Sequence, residues 1–568
     1  MRTSLALAFL LLLTFTSAAS AKPNIVVLMT DDQTLDSMSV MPQTQRLIGE
    51  EGTTFTRSFV NFSLCCPSRS TLYTGQYAHN HGVLGNGPPQ GGYTKLDKTN
   101  WLPLWLQAAG YRTMHVGKFL NGYGRLSPPT EVPPGFTDWH GTVDPSTYRF
   151  YNYTVNENGT LRTYGAANEP EFYSTDFFAR RANELIAAAA PSDQPFFMSV
   201  AFLAPHAGQP ADADDPAGQN TPSPAPRHAN AFSTVALPQP ASFNEADVSD
   251  KTALMQRRPL LTPARIAAIQ ENYQQRLESL LAVDEAVASI VGGLDTAGEL
   301  DDTLILFTSD NGFFHGEHRV PQGKLLVYEP SIRLPLLMRG PGVPEDKRQS
   351  QLVTNADLAP TITDAAGATP GRAQDGRSLF DLVEDPGVQW GRELLLEGGT
   401  NAGLTYTALR NYRWKWVEHG NGERELYDLG SDPDELTNRS TDPALAPLRN
   451  AMSARLAALR ACAGSSCRAK PALRLNAARR QCLFNVAVRG GDAGAIDRVE
   501  FLVRRRPKGG EADAPASFRR VGRDVKADFR KRVRAAGVLP GRRFLLRARV
   551  RLDDGRSVTI DEKRRTCR

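Results

Sequence analysis

Two acidic pairs carry a chemical signal, Asp31-Asp32 and Asp310-Asn311. They offer four oxygen donors, three of them anionic, a set that suits a hard cation such as Ca2+ better than Zn2+. Taken singly, each pair is an ordinary turn or helix cap. Their placement sets them apart, because each follows a short apolar run. Two further runs end in cationic or proton-exchanging residues: Gly117-Lys118 follows Thr113 to Val116, and Ala204-Pro205-His206 follows Phe196 to Leu203. A fifth segment, Cys65-Cys66-Pro67-Ser68-Arg69 with Thr74-Gly75, adds two thiols and a guanidinium. By themselves, adjacent cysteines before proline read as a buried thiol plus half of a disulfide, since free cysteine behaves as a small hydrophobe.

These residues need a scaffold that brings them together. Asn24 to Met29 is a continuous apolar, β-branched run, the pattern of a strand buried on both faces. Thr303 to Thr308 repeats it after a helical pattern from about Ile266 to Leu294. Open parallel α/β sheets place their ligands beyond the carboxyl ends of the strands, so all four polar endings should face one crevice.

The run Cys65-x-Pro67-Ser68-Arg69-x4-Thr74-Gly75 resembles the core motif of the sulfatase family. Other matches follow in the family's order: Pro23-Asn24-Ile25-Val26 with Asp31-Asp32, Gly117-Lys118, Ala204-Pro205-His206, Thr308 to Gly312, Gly323-Lys324, and Leu426-Tyr427-Asp428-Leu429 with Asp432-Pro433. They span most of residues 22 to 440. Within the family, Leu64 to Arg69, Tyr77-Ala78-His79-Asn80-His81, Lys118-Phe119-Leu120-Asn121 and Leu281-Ala282-Val283-Asp284 look most like the N-acetylglucosamine-6-sulfatases.

The resemblance implies an alkaline-phosphatase-like α/β domain with a mostly parallel sheet and a small antiparallel C-terminal subdomain. It implies that a formylglycine-generating enzyme oxidises Cys65 to Cα-formylglycine, one hydroxyl of whose hydrate attacks sulfur. Asp31, Asp32, Asp310, Asn311 and modified Cys65 would hold Ca2+. Arg69, Lys118 and Lys324 would supply positive charge, as an anionic sulfate ester requires, and His206 or Lys324 would protonate the leaving alcohol. His315 and His318 are candidates to touch substrate, whereas His79, His81 and His115 read as packing residues. The chain departs from many arylsulfatases in carrying Leu120, followed by Asn121, where those enzymes have a candidate histidine base.

At 568 residues the chain exceeds one ordinary core. Arg2, the apolar stretch from Leu5 to Phe15 and Ala19-Ser20-Ala21 read as a signal peptide over 1–21, so the mature protein should be secreted. No later apolar run is long enough to cross a bilayer. The expected units are 22–385 for catalysis, 386–465 for the C-terminal subdomain and 471–568 for a basic β-sandwich-like domain. Between Pro471 and Arg568 there are 27 Lys and Arg against 11 Asp and Glu, a net +16, which leaves −11 on the rest of a chain whose formal charge is +5.

Two-residue alternation from Phe544 to Leu552 puts arginines on one face of a strand. Such a surface suits a polyanion such as a sulfated glycan, and export disfavours nucleic acid. Cys462, Cys467, Cys482 and Cys567 fit disulfides of an oxidising compartment, with Cys462 to Cys467 and Cys482 to Cys567 preferred. Their irregular spacing and lack of a nearby histidine argue against zinc. Ala207 to about Pro263, poor in periodicity, reads as a substrate-facing loop. Asn61, Asn152, Asn158 and Asn438 begin glycosylation sequons.

The leading expectation is therefore a sulfatase acting on sulfated sugars. The alternatives are an arylsulfatase, a phosphate or phosphonate monoester hydrolase on the same scaffold, and a non-catalytic glycan-binding protein if Cys65 stays unmodified.

Overall fold

The computed structural model describes residues 22–209, 215–217, 220–384 and 392–468, together with seven strands between residues 473 and 565. The expected signal peptide over 1–21 and the expected pairing of Cys482 with Cys567 fall outside the described residues.

Ten strands form the central sheet: β1 (Asn24–Thr30), β2 (Thr53–Phe55), β3 (Arg112–Gly117), β4 (Asp138–Thr142), β5 (Tyr153–Glu157), β6 (Thr160–Tyr164), β7 (Phe196–Ala201), β8 (Thr303–Ser309), β9 (Leu336–Arg339) and β10 (Lys347–Gln349). Their order is β10-β2-β9-β8-β1-β7-β3-β4-β5-β6. The middle, β8-β1-β7-β3-β4, is parallel, and antiparallel pairings occur only toward the rims. All of β1 is buried, as its unbroken apolar run requires. Ile25, Val27 and Met29 pack on one side with Leu72, Trp101 and Leu106. Val26 and Leu28 pack on the other with Phe178 and Ile290. Each such side chain contributes about 1.5–3 kcal/mol through burial, which fixes which strands occupy the middle.

Register then sets the site. Thr30 pairs with Ser309, Met29 with Ala201, and Ala201 with Gly117, so the carboxyl ends of β1, β8, β7 and β3 lie level. Whatever follows those four strands must emerge along one edge.

Helix α1 (Cys65–Thr74) is buried along its whole length although Cys, Pro, Ser and Thr are weak helix formers. Packing holds it, helped by Ser70 Oγ donating to Cys66 O at 2.8 Å and Thr74 Oγ1 donating to Ser70 O at 2.7 Å. It stops at Gly75, whose φ of 69° is the left-handed conformation that glycine adopts without strain. Helices α2 (Ser174–Ala189) and α3 (Pro263–Thr296) cover the opposite face of the sheet. Helix α3 begins before the expected Ile266 because Thr262 caps it, accepting from Arg265 N at 3.2 Å, and Pro263 fits the first turn.

Strands β11 (Leu394–Thr400), β12 (Gly403–Arg410), β13 (Trp414–His419) and β14 (Arg424–Asp428) form an antiparallel meander. Strands β12 and β13 are separated by only three residues, 411–413. Asn411 Oδ1 accepts from Arg413 N (3.1 Å) and Trp414 N (2.7 Å), closing a side-chain turn between them. Helix α4 (Ala446–Arg460) seals this sheet through Met452, Leu456 and Leu459, and the expected disulfide joins Cys462 to Cys467 just after it.

The C-terminal strands make two antiparallel sheets of three and four strands. In the larger one, Val499, Phe501, Leu546, Ala548 and Val550 are buried while Arg549 and Arg551 are exposed, so the expected alternation is realised. Among the described residues, no helix is long and apolar enough to cross a membrane.

Candidate active site

Asp31 and Asp32 follow β1, Asp310 and Asn311 follow β8, and all four are buried. Asp310 N donates to Thr30 O at 3.2 Å and Asp32 N donates to Asp310 Oδ1 at 3.1 Å, which locks the two strand ends together. Asp32 has φ 68°, a strained value for a residue with a Cβ, and it turns the chain so that both aspartates face the same space. Carboxylate oxygens of Asp31, Asp32 and Asp310 lie within 4.8 Å of one another. Asn311 Nδ2 is 2.5 Å from Asp32 Oδ1, and its Oδ1 is buried without a hydrogen-bond partner. Gly312 is required next, since a Cβ there would meet Pro330 O at 2.1 Å.

Three buried carboxylates so close would repel unless cations compensate. Arg69 sits one turn after Cys65 on the same face of α1. Its Nε donates to Asp310 Oδ2 (2.9 Å), Nη2 to Asp31 Oδ2 (3.3 Å) and Nη1 to Lys118 O (2.9 Å). Lys118, buried at the end of β3, pairs with Asp31, and Lys324 pairs with Asp32. Burial works to raise the Asp32 carboxyl, but Lys324 and His206 outweigh it and hold it low. Asp310 is raised, by burial and then by the Asp31 charge, so this corner has room for further positive charge.

Cys65 lies at the centre of the group and is 1% exposed. Its Sγ is 2.9 Å from Lys324 Nζ, 3.8 Å from Lys118 Nζ and 3.6 Å from Asp31 Oδ1. Burial and then Asp31 push the thiol up to about 12. His206, on the turn after β7, places Nδ1 2.8 Å from Ala207 O, so that nitrogen carries the hydrogen. Nε2 lies 3.8 Å from Asp32 Oδ2. Burial and Lys118 lower His206 to about 4, which leaves it neutral at pH 7. Leu120 is packed in the core below the sheet edge and offers no base.

Thus Asp31, Asp32, Cys65, Arg69, Lys118, His206, Asp310, Asn311 and Lys324 converge. His315 and His318 have other neighbours. His318 Nδ1 is 2.7 Å from Glu245 Oε2 and its ring packs on Tyr328, fastening the segment before α3. His315 is edge-on to Tyr273 and packed against Phe313. His79 is bound to Glu397 (2.9 Å), His81 lies 3.1 Å from Thr71 Oγ1, and His115 stacks on Trp139. Asn61 is buried and its Nδ2 donates to Glu397, so its sequon is inaccessible in the folded chain.

Two neighbours of the cluster were not evident in the sequence. Arg276, buried on α3, donates to Pro205 O (2.8 Å) and to Asp32 O, and so ties the His206 turn to the strained Asp32. The only signal was a cation inside an otherwise inward-facing stretch of a long helix. Tyr148 receives Asn121 Nδ2 at 2.5 Å, carries Lys118 Nζ 4.7 Å above its ring, and lies 5.1 Å from the His206 ring.

Comparison with known proteins points the same way. The family model described as Sulfatase matches residues 23–368, and that described as N-sulphoglucosamine sulphohydrolase, C-terminal, matches 316–462. The chain is 33% identical over 499 residues to a human N-acetylglucosamine-6-sulfatase, covering 80% of this chain and 87% of that one. It is 35% identical over 503 residues to a Volvox carteri arylsulfatase, covering 79% and 76%. Among solved structures, one described as BT4656 in complex with its substrate D-glucosamine-2-N,6-O-disulfate superposes with TM-score 0.64 at 24% identity, over 77% of this chain and 97% of that one. A phosphonate monoester hydrolase of Agrobacterium radiobacter has the same fold at TM-score 0.55 and 24% identity, over 77% and 95%. With its alkaline-phosphatase-like sheet and most of its length matched, this chain belongs to the sulfatase family and is a sulfuric ester hydrolase.

Proposed function

We propose that the chain is a secreted, calcium-dependent sulfatase of sulfated sugars, such as N-acetylglucosamine-6-sulfate, whose nucleophile is formylglycine made from Cys65. The observation that carries this reading is the environment of Cys65: two ammonium groups within 4 Å and a three-carboxylate pocket beside it. A thiol pushed up to about 12 is a poor nucleophile, so the encoded side chain is ill suited to the task that its surroundings serve.

Asp31, Asp32, Asp310, Asn311 and modified Cys65 are the residues that would hold Ca2+. The unpartnered, buried Asn311 Oδ1 beside three carboxylates fits a hard cation, which takes oxygen ligands. Bound there, the ion would supply positive charge to an anionic sulfate ester. Formylglycine, when hydrated, supplies a geminal-diol oxygen that no encoded side chain has.

The remaining work falls to the chain itself. Arg69 spends its donors on Asp310, Asp31 and Lys118 O, so it positions the site's other residues. Lys118 and Lys324 present their ammonium groups where sulfate oxygens would lie. When the ester S–O bond breaks, the departing sugar alkoxide takes a proton. Lys324 is the donor: burial opposes its charge, but Asp32 outweighs burial and keeps it an ammonium, and an alkoxide is the stronger base. His206 is neutral with Nε2 unprotonated, which suits proton acceptance.

Because Cys65 is 1% exposed, the formylglycine-generating enzyme must act before this segment folds. The catalytic unit is taken as 22–385, its C-terminal subdomain as 386–465, and 471–568 as a separate basic domain. On its larger sheet, register aligns Arg523, Glu500 and Arg549 in one row and Arg498 beside Arg551 in another, a face suited to a sulfated polymer. The kinship to glucosamine-6-sulfatases favours a sugar, and that to algal arylsulfatases favours an aryl ester. Assays on N-acetylglucosamine-6-sulfate, an aryl sulfate and a phosphonate monoester, run beside mass analysis of the Cys65 peptide, separate these. Hydrolysis confined to the aryl ester or the phosphonate, or an unmodified thiol in active enzyme, would refute the reading.

A further inference from the structure

A cavity of about 380 Å3 is lined by Arg149, Asn152, Asn168, Gln209, Glu271 and Gln275, with Phe150 and Glu278 completing its wall. Two of its lining residues, Arg149 and Gln209, lie close along the chain to neighbours of Cys65. Arg149 directly follows Tyr148, whose ring lies 5.1 Å from that of His206. Gln209 is three residues beyond His206, a span of at most about 11 Å. Gln209 N also donates to Tyr148 O at 2.7 Å, so one hydrogen bond joins both strands of this wall.

The lining has a definite chemistry. Carboxamides of Asn152, Asn168 and Gln209 both donate and accept, as vicinal hydroxyl groups require, whereas that of Gln275 is held by Thr221 and Glu271. Two carboxylates, Glu271 and Glu278, stand against one guanidinium, so the cavity disfavours a second sulfate. Its volume is at the low end of small-molecule sites.

We infer that this cavity receives the sugar unit adjoining the sulfated one, and that this unit is uncharged, neutral or N-acetylated. The inference rests on the proposed action on sulfated sugars. It makes the preferred substrate an oligosaccharide in which the cleaved sulfate neighbours an unsulfated residue.

The test compares three substrates: 6-sulfated N-acetylglucosamine, a disaccharide joining that sugar to an unsulfated one, and an aryl sulfate. Wild-type kcat/KM should favour the disaccharide over the monosaccharide by about tenfold, the worth of one or two hydrogen bonds. Asn168→Ala with Gln209→Ala, both at exposed positions, should abolish most of that advantage through KM. Rates on the monosaccharide and the aryl sulfate should stay unchanged, with thermal unfolding as a check on folding. Equal kcat/KM for the two sugars in the wild type, or an equal loss on all three substrates in a folded variant, would overturn the subsite and leave the sugar-sulfatase reading standing. Cleavage of the aryl sulfate alone would overturn both. A disaccharide carrying sulfate on the second sugar should be the poorer substrate, and a preference for it would refute the uncharged neighbour.

Discussion

Lys324 Nζ stands 2.9 Å from Cys65 Sγ, and the same ammonium is ion-paired with Asp32. Position 65 is therefore bridged to the carboxylate pocket by a cation, whereas Cys66, the next residue, is fully buried in the apolar core beside Leu72 and Tyr73. The helix turns two chemically identical side chains into different environments.

Cys65→Ala should abolish turnover, by at least about a thousandfold, with an unfolding transition close to that of the wild type. Cys66→Ala should retain turnover and lose about 1–2 kcal/mol of stability from the vacated core volume. Kinetics and thermal unfolding on both variants check this. Active Cys65→Ala enzyme beside folded but inactive Cys66→Ala enzyme would reverse the assignment.

Arg276 donates to two backbone carbonyls rather than to Cys65, and so holds Asp32 O and Pro205 O together. Arg276→Met should weaken divalent-cation affinity and kcat by about ten- to a hundredfold each, the usual effect of losing a partner that orients a ligand. Metal titration separates this from a merely structural role: unchanged cation affinity in the folded variant would reject it.

Much of this site was legible in sequence because its residues end buried strands. An unbroken apolar run must be central, and a central parallel strand delivers its next residues to a known edge, as with Asp31, Lys118 and Asp310. Arg276 and Tyr148 were hidden because their contacts depend on where a helix and a loop pack, which local periodicity does not encode. His318 follows Asp310 closely in sequence but is drawn away by Glu245, a residue 73 positions earlier. The turn between β12 and β13 has no glycine or proline to mark it in the sequence, because Asn411 closes it with its side chain.

Asp310→Asn keeps an acceptor for Arg69 and removes one anionic ligand. The variant should lose bound divalent cation on elemental analysis and lose turnover, as should chelated wild-type enzyme. Calcium should also raise the wild-type unfolding temperature, by an amount equivalent to about 2.7 kcal/mol at a hundred times Kd, and leave the variant nearly unaffected. Full activity in wild-type protein stripped of metal would refute the assignment.

Glu329 gives a pH dependence remote from the site. Its carboxylate meets Arg410 at 3.1 Å and Lys415 at 3.3 Å beneath the C-terminal sheet. Burial works to raise its pKa, but Arg410 and Lys415 prevail and lower it from 4.5 to about 2. The unfolded chain binds this proton more readily than the folded one, so the contribution is fully present above about pH 4.5 and is lost as pH falls toward 2. The stability difference between wild type and Glu329→Gln should therefore shrink between pH 6 and pH 3 in denaturant titrations. A constant difference would show that the pair adds nothing specific to ionised Glu329.

The C-terminal strands allow a test that leaves the chemistry intact. Removing residues 471–568 deletes a net charge of +16 and none of the residues around Cys65. Hydrolysis of a small soluble sulfate ester should survive, while retention on a heparin-like matrix should weaken. Exposed Arg520, Arg523, Arg549 and Arg551 lie on strands of one sheet, so their fields add toward a polymer laid across it. Retention of the intact chain should fall as salt rises, because exposed charges are screened over about 10 Å at 0.1 M. Charge reversal at Arg549 and Arg551 should lower the elution salt without changing turnover, which separates a binding face from bulk charge. Equal elution of intact and truncated proteins would reduce this face to a solvated surface. Loss of small-substrate turnover in a folded truncation would instead mean that the basic domain supports the catalytic one.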